Sequence, residues 1–353
     1  MIADTPSNPD AGPVRAPIDT AALERWMSGR IAGFEGPLEI AQFKGGQSNP
    51  TYMLTAPGAR YVLRKKPPGP LLKGAHDVLR EARVMRALAS SAVSVPPVVA
   101  ICEDDDVLGS AFFIMAMVEG RIFWDPALRD MPKAQRAAYF DAMNATIAAL
   151  HAVDPNAVGL GDFGRPGNYF ERQIGRWSRQ YVEDLDGPRD ANMDALVAWL
   201  PTAIPPGEEG SIVHGDFRCD NLIFHPSEPR VVAVLDWELS TLGHPLADFA
   251  YHCLMYRMPT KPFAGLSGED VEALGLPSER DYVAAYCKRT RRTRIDHWDF
   301  YIAFNLFRLA AILHGIAGRV ARGNASSAEA RERAAQFPDL ALLARQAMDR
   351  YRD

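Results

Sequence analysis

The chain has 353 residues, 47% of them hydrophobic and 24% charged, enough for two domains or one two-lobed enzyme with a proper core. A net charge of −5 and a pI near 5.9 supply no blanket attraction for nucleic acid or acidic membranes, so neither is an expected partner. Four cysteines, at 102, 219, 253 and 287, lack C-x-x-C spacing and read as reduced thiols of a cytoplasmic-type compartment rather than a disulfide framework.

Residues 1–18 begin "MIADTPSNPDAGPVRAP", rich in Pro, Asp and Ser and without an apolar stretch, so they are expected to form a disordered or loosely attached arm, not a signal peptide. Asp19 is placed to cap a helix through "DTAALERWMSGRIAGF". Two β-rich runs follow, "LEIAQFKGGQSNPTYMLTA" and "ARYVLRKKP", joined at Pro57-Gly58, which predicts an antiparallel hairpin. "AHDVLREARVMRALASS" has helical spacing, and "PPVVAICEDDDVLGSAFFIMAMVEG" reads as two strands around an acidic turn at 103–106. Residues 19–120 therefore form an expected N-terminal lobe, small and sheet-rich, and 121–353 a larger, mainly helical C-terminal lobe.

In that second part "KAQRAAYFDAMNATIAALHAV" and segments near 168–182 and 190–200 predict helices. The long apolar segment "YIAFNLFRLAAILHGIAGRV" is interrupted by Asn305, Arg308 and His314, which favours a buried or amphipathic helix over a membrane span. Between them lies "SIVHGDFRCDNLIFHPSEPRVVAVLDW". A strand leads into His214-Gly215-Asp216, Asn221 follows Asp216 by five positions, and two further strands deliver Asp236 at their end. The protein-kinase catalytic loop carries an Asp and an Asn at this spacing: the Asp receives or orients the acceptor hydroxyl, and the Asn holds a metal ion. Asp216 is thus a candidate catalytic base, and Asn221 with Asp236 a candidate Mg²⁺ pair.

"HGDFRCDN" and "VLDWELSTLGHPLADFAY", together with "GGQSNPTY", "YVLRKKPPG" and "REARVMRAL", resemble the aminoglycoside phosphotransferase and choline kinase-like superfamily. Within it, the resemblance is closest to the kinase-like domain fused to some acyl-CoA dehydrogenases, here expected to stand alone. It implies an α+β, two-lobed protein-kinase-like fold with ATP and Mg²⁺; GTP is not distinguished from ATP. Gly45, Gly46, Gln47, Ser48 and Asn49 would cover the phosphates, and Met115 and Met117 would flank the purine. Arg64 stands where the kinase pattern has a Lys, with Glu81 as its partner; Arg64 and Lys66 share one strand face and Lys65 points away. Arg218 would reach the transferred phosphate, or else make a surface ion pair. His214, Asp248 and His151 would brace the catalytic loop.

The implied function is ATP- and Mg²⁺-dependent phosphoryl transfer to a hydroxyl of a small molecule. In "CKRTRRTRIDHW", Lys288, Arg289, Arg291, Arg292 and Arg294 have no acid between them, which suits an anionic acceptor such as a coenzyme A thioester, or simply a solvated helix end. The fused relatives point to a hydroxyacyl-CoA. Alternatives are a same-fold kinase of an aminoglycoside, choline-like amine or sugar, and a non-catalytic nucleotide-binding module. A protein kinase is disfavoured because no D-F-G and A-P-E pair is recognised. Oligomeric state is not legible.

Overall fold

A computed structural model describes residues 11–15, 18–43, 49–67, 77–323 and 328–352. The first elements are β1 (Ala11–Gly12), α1 (Thr20–Ser28), β2 (Glu39–Phe43), β3 (Thr51–Ala56), β4 (Ala59–Lys65), α2 (Val78–Leu88), β5 (Val98–Cys102), α3 (Asp105–Leu108) and β6 (Phe112–Ala116). Next come α4 (Lys133–His151), α5 (Tyr169–Glu183), α6 (Ala191–Trp199), β7 (Ser211–Val213), β8 (Leu222–Phe224), β9 (Val231–Val234) and β10 (Thr241–Gly243). The chain closes with α7 (Pro245–Cys253), α8 (Thr260–Phe263), α9 (Glu279–Arg289), α10 (Trp298–Ala321), α11 (Ala328–Ala335) and α12 (Phe337–Arg350).

Two compact units result, and they do not follow chain order. One gathers Met1–Trp124, Asn156–Leu160 and Arg218–Ser240; the other gathers Asp125–Pro155, Gly161–Phe217 and Thr241–Asp353. The sequence reading set a single boundary at residue 120 and assigned everything beyond it to the helical lobe. The β8–β9 hairpin instead belongs with the first unit, because Phe224 and Arg121 exchange backbone hydrogen bonds at 2.8 Å and Val234 N donates to Ser94 O at 2.9 Å. Gly120 permits that approach, since a Cβ there would run into the Phe224 carbonyl.

In the first unit six antiparallel strands lie in the order β1-β2-β3-β4-β6-β5. Along β4, side chains alternate: Tyr61 and Leu63 go to one face, Val62 and Arg64 to the other. The first face packs on α1, whose Leu23, Trp26 and Met27 meet Tyr52, Leu54, Leu63, Phe112 and Ile114. Each such buried side chain contributes about 1.5–3 kcal/mol. Asp19 caps α1 as expected, accepting from Ala22 N at 2.9 Å. The predicted hairpin at Pro57-Gly58 is β3–β4, with Gly58 at φ +79°. The preceding β-rich run is two strands, β2 and β3, rather than one. Two residues of the expected arm, Ala11 and Gly12, pair with Phe43 and Gln42.

The second unit is built on α10, which packs against α5, α7, α11 and α12. Its three polar interruptions have work to do. Asn305 Nδ2 donates to Ala247 O at 2.8 Å, Arg308 Nη2 donates to Gly215 O at 2.9 Å, and the His314 ring lies 4.7 Å from that of Tyr181. Among the described residues α10 alone is long and apolar enough to cross a membrane, yet 67% of its most apolar window is buried inside the protein. β7 and β10 pair antiparallel, with α4 and α7 packed against β7, and all four cysteines are buried and outside any disulfide.

Candidate active site

A cavity of about 180 Å³ opens in the first unit, on the sheet face that carries Val62 and Arg64. Its apolar walls include Phe43, Val62, Met115, Met117, Ile223 and Leu235; its polar end holds Arg64, Glu81, Asp220, Asn221 and Asp236. Both methionines singled out from the sequence therefore line it. So does Trp124, which the sequence did not mark and which is 64% exposed although aromatic. An apolar slot suits a flat hydrophobic group; its polar end holds one cation among three carboxylates, so an anionic tail there would need an added cation.

Arg64 is fixed by its register in β4, opposite Thr51 and Phe113, and is buried. Its Nη2 donates to Asp236 Oδ1 at 2.6 Å and lies 3.5 Å from Glu238 Oε2. Its Nε is 2.8 Å from Glu81 Oε2, close in distance but outside hydrogen-bond alignment, so this contact is an ion pair rather than an aligned bond. Three carboxylates thus share one guanidinium. Burial pushes the Glu81 carboxyl up to about 7; the Arg64 charge pulls it back only in part, and Asp236 and Glu238 add to the rise. Burial also disfavours the Arg64 cation, but the three carboxylates outweigh it and hold the proton more firmly than usual.

Asp236 sits at φ +64° and ψ 60°, the left-handed region that costs a non-glycine residue on the order of 1–3 kcal/mol. The turn is held by its neighbour, Trp237 Nε1 donating to Val234 O at 2.9 Å. Asn221 is tied to the same hairpin, its carbonyl accepting from Leu235 N at 2.8 Å. An amide oxygen and a carboxylate are hard donors that suit Mg²⁺, which completes its shell with water and phosphate oxygens. By donor chemistry these residues fit the ion, which would share the Asp236 carboxylate with the Arg64 guanidinium. Among the described residues no group of three or more His, Cys, Asp or Glu forms a metal cage, so such an ion would depend on phosphate for further ligands.

Asp216 lies in the second unit, and the chain passes to the first between Phe217 and Arg218. Its loop is braced at every residue. Asp248 accepts from His214 N at 2.7 Å and Gly215 N at 2.8 Å, and His214 Nδ1 accepts from Asp216 N at 3.2 Å. His151 Nε2 is 3.2 Å from Asp248 Oδ2, with Tyr286 Oη 2.7 Å from its other nitrogen. Burial acts to raise the Asp248 carboxyl, but His151 and the backbone N–H groups prevail and it titrates below the usual range. His252 Nδ1 meets Phe217 O at 3.2 Å and its Nε2 meets Tyr282 Oη at 2.7 Å. Burial pulls His252 down to about 4, so the imidazole is neutral, donating to the carbonyl and accepting from the phenol. The carboxylate of Asp216 accepts from Tyr251 Oη through Oδ1.

The other expected residues fall out as follows. Arg218 is 54% exposed and its Nε donates to Asp220 Oδ1 at 3.0 Å, the local ion pair. Asn49 is buried and donates to Glu238 Oε2 at 3.2 Å. Gly45, Gly46, Gln47 and Ser48 lie outside the described residues. Three of the five cations of the basic run are paired: Arg289 meets Asp141 at 2.7 Å, Arg292 Nη1 meets Glu209 at 2.7 Å, and Arg294 meets Asp296 at 2.7 Å, while Lys288 and Arg291 are exposed. Asp141 and Glu209 are remote in sequence, so those two pairings could not be read from the run itself. Glu238 and Tyr251 lie in the segment that carried the family resemblance and Arg308 was marked as a polar interruption of its helix, but none of them, nor His252, was given a role at the site.

Comparison with known proteins bears on the family and the fold. The phosphotransferase enzyme family matches residues 39–286. Acyl-CoA dehydrogenase family member 10 of Mus musculus is 43% identical over 341 residues, 95% of this chain and 32% of that protein, so the chain spans about a third of it. The crystal structure of a Ralstonia eutropha JMP134 protein, provisionally named an aminoglycoside phosphotransferase, is 49% identical with a TM-score of 0.88, over 96% of this chain and 100% of that one. A thermostable aminoglycoside phosphotransferase mutant solved with AMP-PNP and hygromycin B has a TM-score of 0.57 at 18% identity, over 92% of this chain and 98% of that one; this likeness speaks for fold alone. The expected α+β fold class is borne out by these neighbours.

Proposed function

Because this chain belongs to the phosphotransferase enzyme family, we propose that it is an ATP- and Mg²⁺-dependent small-molecule kinase that phosphorylates a hydroxyl, with hydroxyacyl-CoA thioesters as the acceptor class. The observation that carries the proposal is the convergence of Arg64, Glu81, Asn221 and Asp236 at the polar end of an apolar cavity. The purine would occupy the slot flanked by Met115 and Met117, with its phosphates toward Arg64. Residues 45–49 would cover them. Asn221 and Asp236 would hold Mg²⁺, which would supply charge neutralisation for the phosphates.

Asp216 would receive the hydroxyl proton as the acceptor oxygen bonds to the γ-phosphorus and the bond to the β-phosphate oxygen breaks, releasing ADP. The proton then returns to solvent. Phosphoryl transfer asks little covalent chemistry of the protein, so a fixed base and placed charge are the parts it must supply. Bracing of residues 214–217 by Asp248, His214 and His252 supports that role. Arg218 would reach the transferred phosphate by leaving Asp220.

The acceptor class rests on the name of the mouse relative more than on the basic run, in which Arg289, Arg292 and Arg294 are already paired. A second reading, an amine-bearing acceptor, is favoured by the name of the Ralstonia protein. Labelled γ-phosphate transfer to hydroxyacyl-CoA thioesters, aminoglycosides and choline, with ATP and GTP in parallel, separates the two. Transfer to the thioesters alone is expected; transfer to an amine-bearing acceptor overturns the acceptor assignment. Asp216→Asn should abolish turnover while nucleotide affinity stays within about threefold, and Asp236→Asn should weaken Mg²⁺-dependent nucleotide binding by about tenfold or more.

A further inference from the structure

We propose that Tyr251 and Arg308 are positioning residues for the reaction: a phenol and a guanidinium, presented by α7 and α10, that lock the orientation of the Asp216 carboxylate. This rests on the reading of Asp216 as the base. The Tyr251 hydroxyl donates to Asp216 Oδ1, and Tyr251 is only 9% exposed, so water competes little for that bond. The Arg308 guanidinium carbon stands 5.4 Å from the Tyr251 ring centroid, and its Nη2 donates to Gly215 O at 2.9 Å. One arginine therefore touches both the backbone just before the base and the ring of the residue that holds the base's side chain.

The backbone brace from Asp248, His214 and His252 does not by itself determine how the carboxylate is turned, because rotation about its own side-chain bonds remains. The bond from Tyr251 to Oδ1 restrains that rotation and so biases the direction of Oδ2, to which the acceptor proton moves. A cation beside the phenol ring polarises the hydroxyl and strengthens its donation to a carboxylate. Tyr251 keeps its proton throughout; the proton in transit is the acceptor's, passing to Oδ2 as the new O–P bond forms. Aiming of this kind acts on the chemical step and not on nucleotide binding, and small misplacements of a catalytic group cost up to about a hundredfold.

The test uses the full chain and two acceptors, hydroxybutyryl-CoA and, with none added, water through slow ATP hydrolysis. Wild type, Tyr251→Phe, Arg308→Gln and Asp216→Asn are compared for kcat, KM for ATP and melting temperature. Tyr251→Phe is nearly isosteric, and is expected to lower kcat by about tenfold to a hundredfold with KM for ATP and melting temperature unchanged. Arg308→Gln keeps a donor for Gly215 O but loses the cation, and is expected to lower kcat by a smaller factor. A Tyr251→Phe kcat within twofold of wild type, alongside an inactive Asp216→Asn, overturns the inference and leaves the base standing. Joint loss of kcat, ATP affinity and melting temperature in Tyr251→Phe makes Tyr251 a structural residue and overturns it as well. Turnover retained by Asp216→Asn, or a wild type inert toward both acceptors, instead removes the reading on which the inference stands.

Discussion

Arg64 faces Glu81, Asp236 and Glu238 from a buried strand position, and the fork of a guanidinium reaches all three where an ammonium would be a single point of charge. The two members of its most buried ion pair, Arg64 and Glu81, are not equivalent. Removing the cation leaves three carboxylates facing one another with nothing between, and breaking a buried pair in this way costs about 3–5 kcal/mol. Neutralising Glu81 costs less, because burial has already pushed its carboxyl up to about 7. Arg64→Met is therefore expected to destabilise the protein by about 3 kcal/mol, and Glu81→Gln by about 1 kcal/mol or less. Urea unfolding of the two variants checks the order; Glu81→Gln as the more damaging change would contradict this account of the cluster. The sequence argument from strand alternation already separated Arg64 from Lys65. It could not supply Glu238, two residues beyond Asp236, because nothing in its spacing distinguishes it from an exposed acid.

Helix α7 shows how one short element serves a catalytic loop. Asp248, Tyr251 and His252 are three and four positions apart, hence on one helix face, and they engage in turn His214 and Gly215, Asp216, and Phe217. The helix starts at Pro245 after His244, whose Nδ1 accepts from Leu246 N at 3.2 Å as the cap. Burial pulls both His244 and His252 down to about 4 from the ordinary 6.5. The unfolded chain then binds more protons between those values, so their contribution to stability is present above pH 6.5 and is lost as pH falls toward 4. Asn is a favourable cap and does not titrate. His244→Asn should therefore flatten the dependence of unfolding free energy on pH across that window by up to about 1.4 kcal/mol per pH unit, whatever its effect on absolute stability. An unchanged slope in denaturant titrations between pH 4 and 6.5 would show that His244 does not titrate there. Glu81, in the other unit, has the opposite sign: its folded carboxyl is raised, so its contribution falls as pH rises from 4.5 toward 7.

Across the whole molecule, periodicity made the elements legible and left their grouping hidden. Alternation and helical spacing gave β4, α1, α2 and the β8–β9 hairpin, and the polar interruptions of α10 correctly signalled a packed helix. The units escaped, because hairpin 222–234 joins the first unit through backbone bonds to Arg121 and Ser94, partners that no local pattern announces. The run 288–294 was half legible for the same reason: its charge is visible in sequence, but Asp141 and Glu209 become neighbours of Arg289 and Arg292 only after folding. Tyr251 ends the segment that carried the family resemblance and Arg308 interrupts the apolar run of α10, but an aromatic in one helix and an arginine in another carry no sign of a shared target. The spacing of Asp216 and Asn221 and the strand-ending Asp236 were what pointed to phosphoryl transfer, and that claim has a direct test. Wild type and Asp216→Asn would be incubated with γ-labelled ATP, Mg²⁺ and hydroxyacyl-CoA thioesters, and label in the acceptor counted. The account predicts labelled acceptor from wild type and none from Asp216→Asn. A wild-type chain that binds the nucleotide with Mg²⁺ yet transfers label to no acceptor, water included, would contradict it and identify a nucleotide-binding module without catalysis.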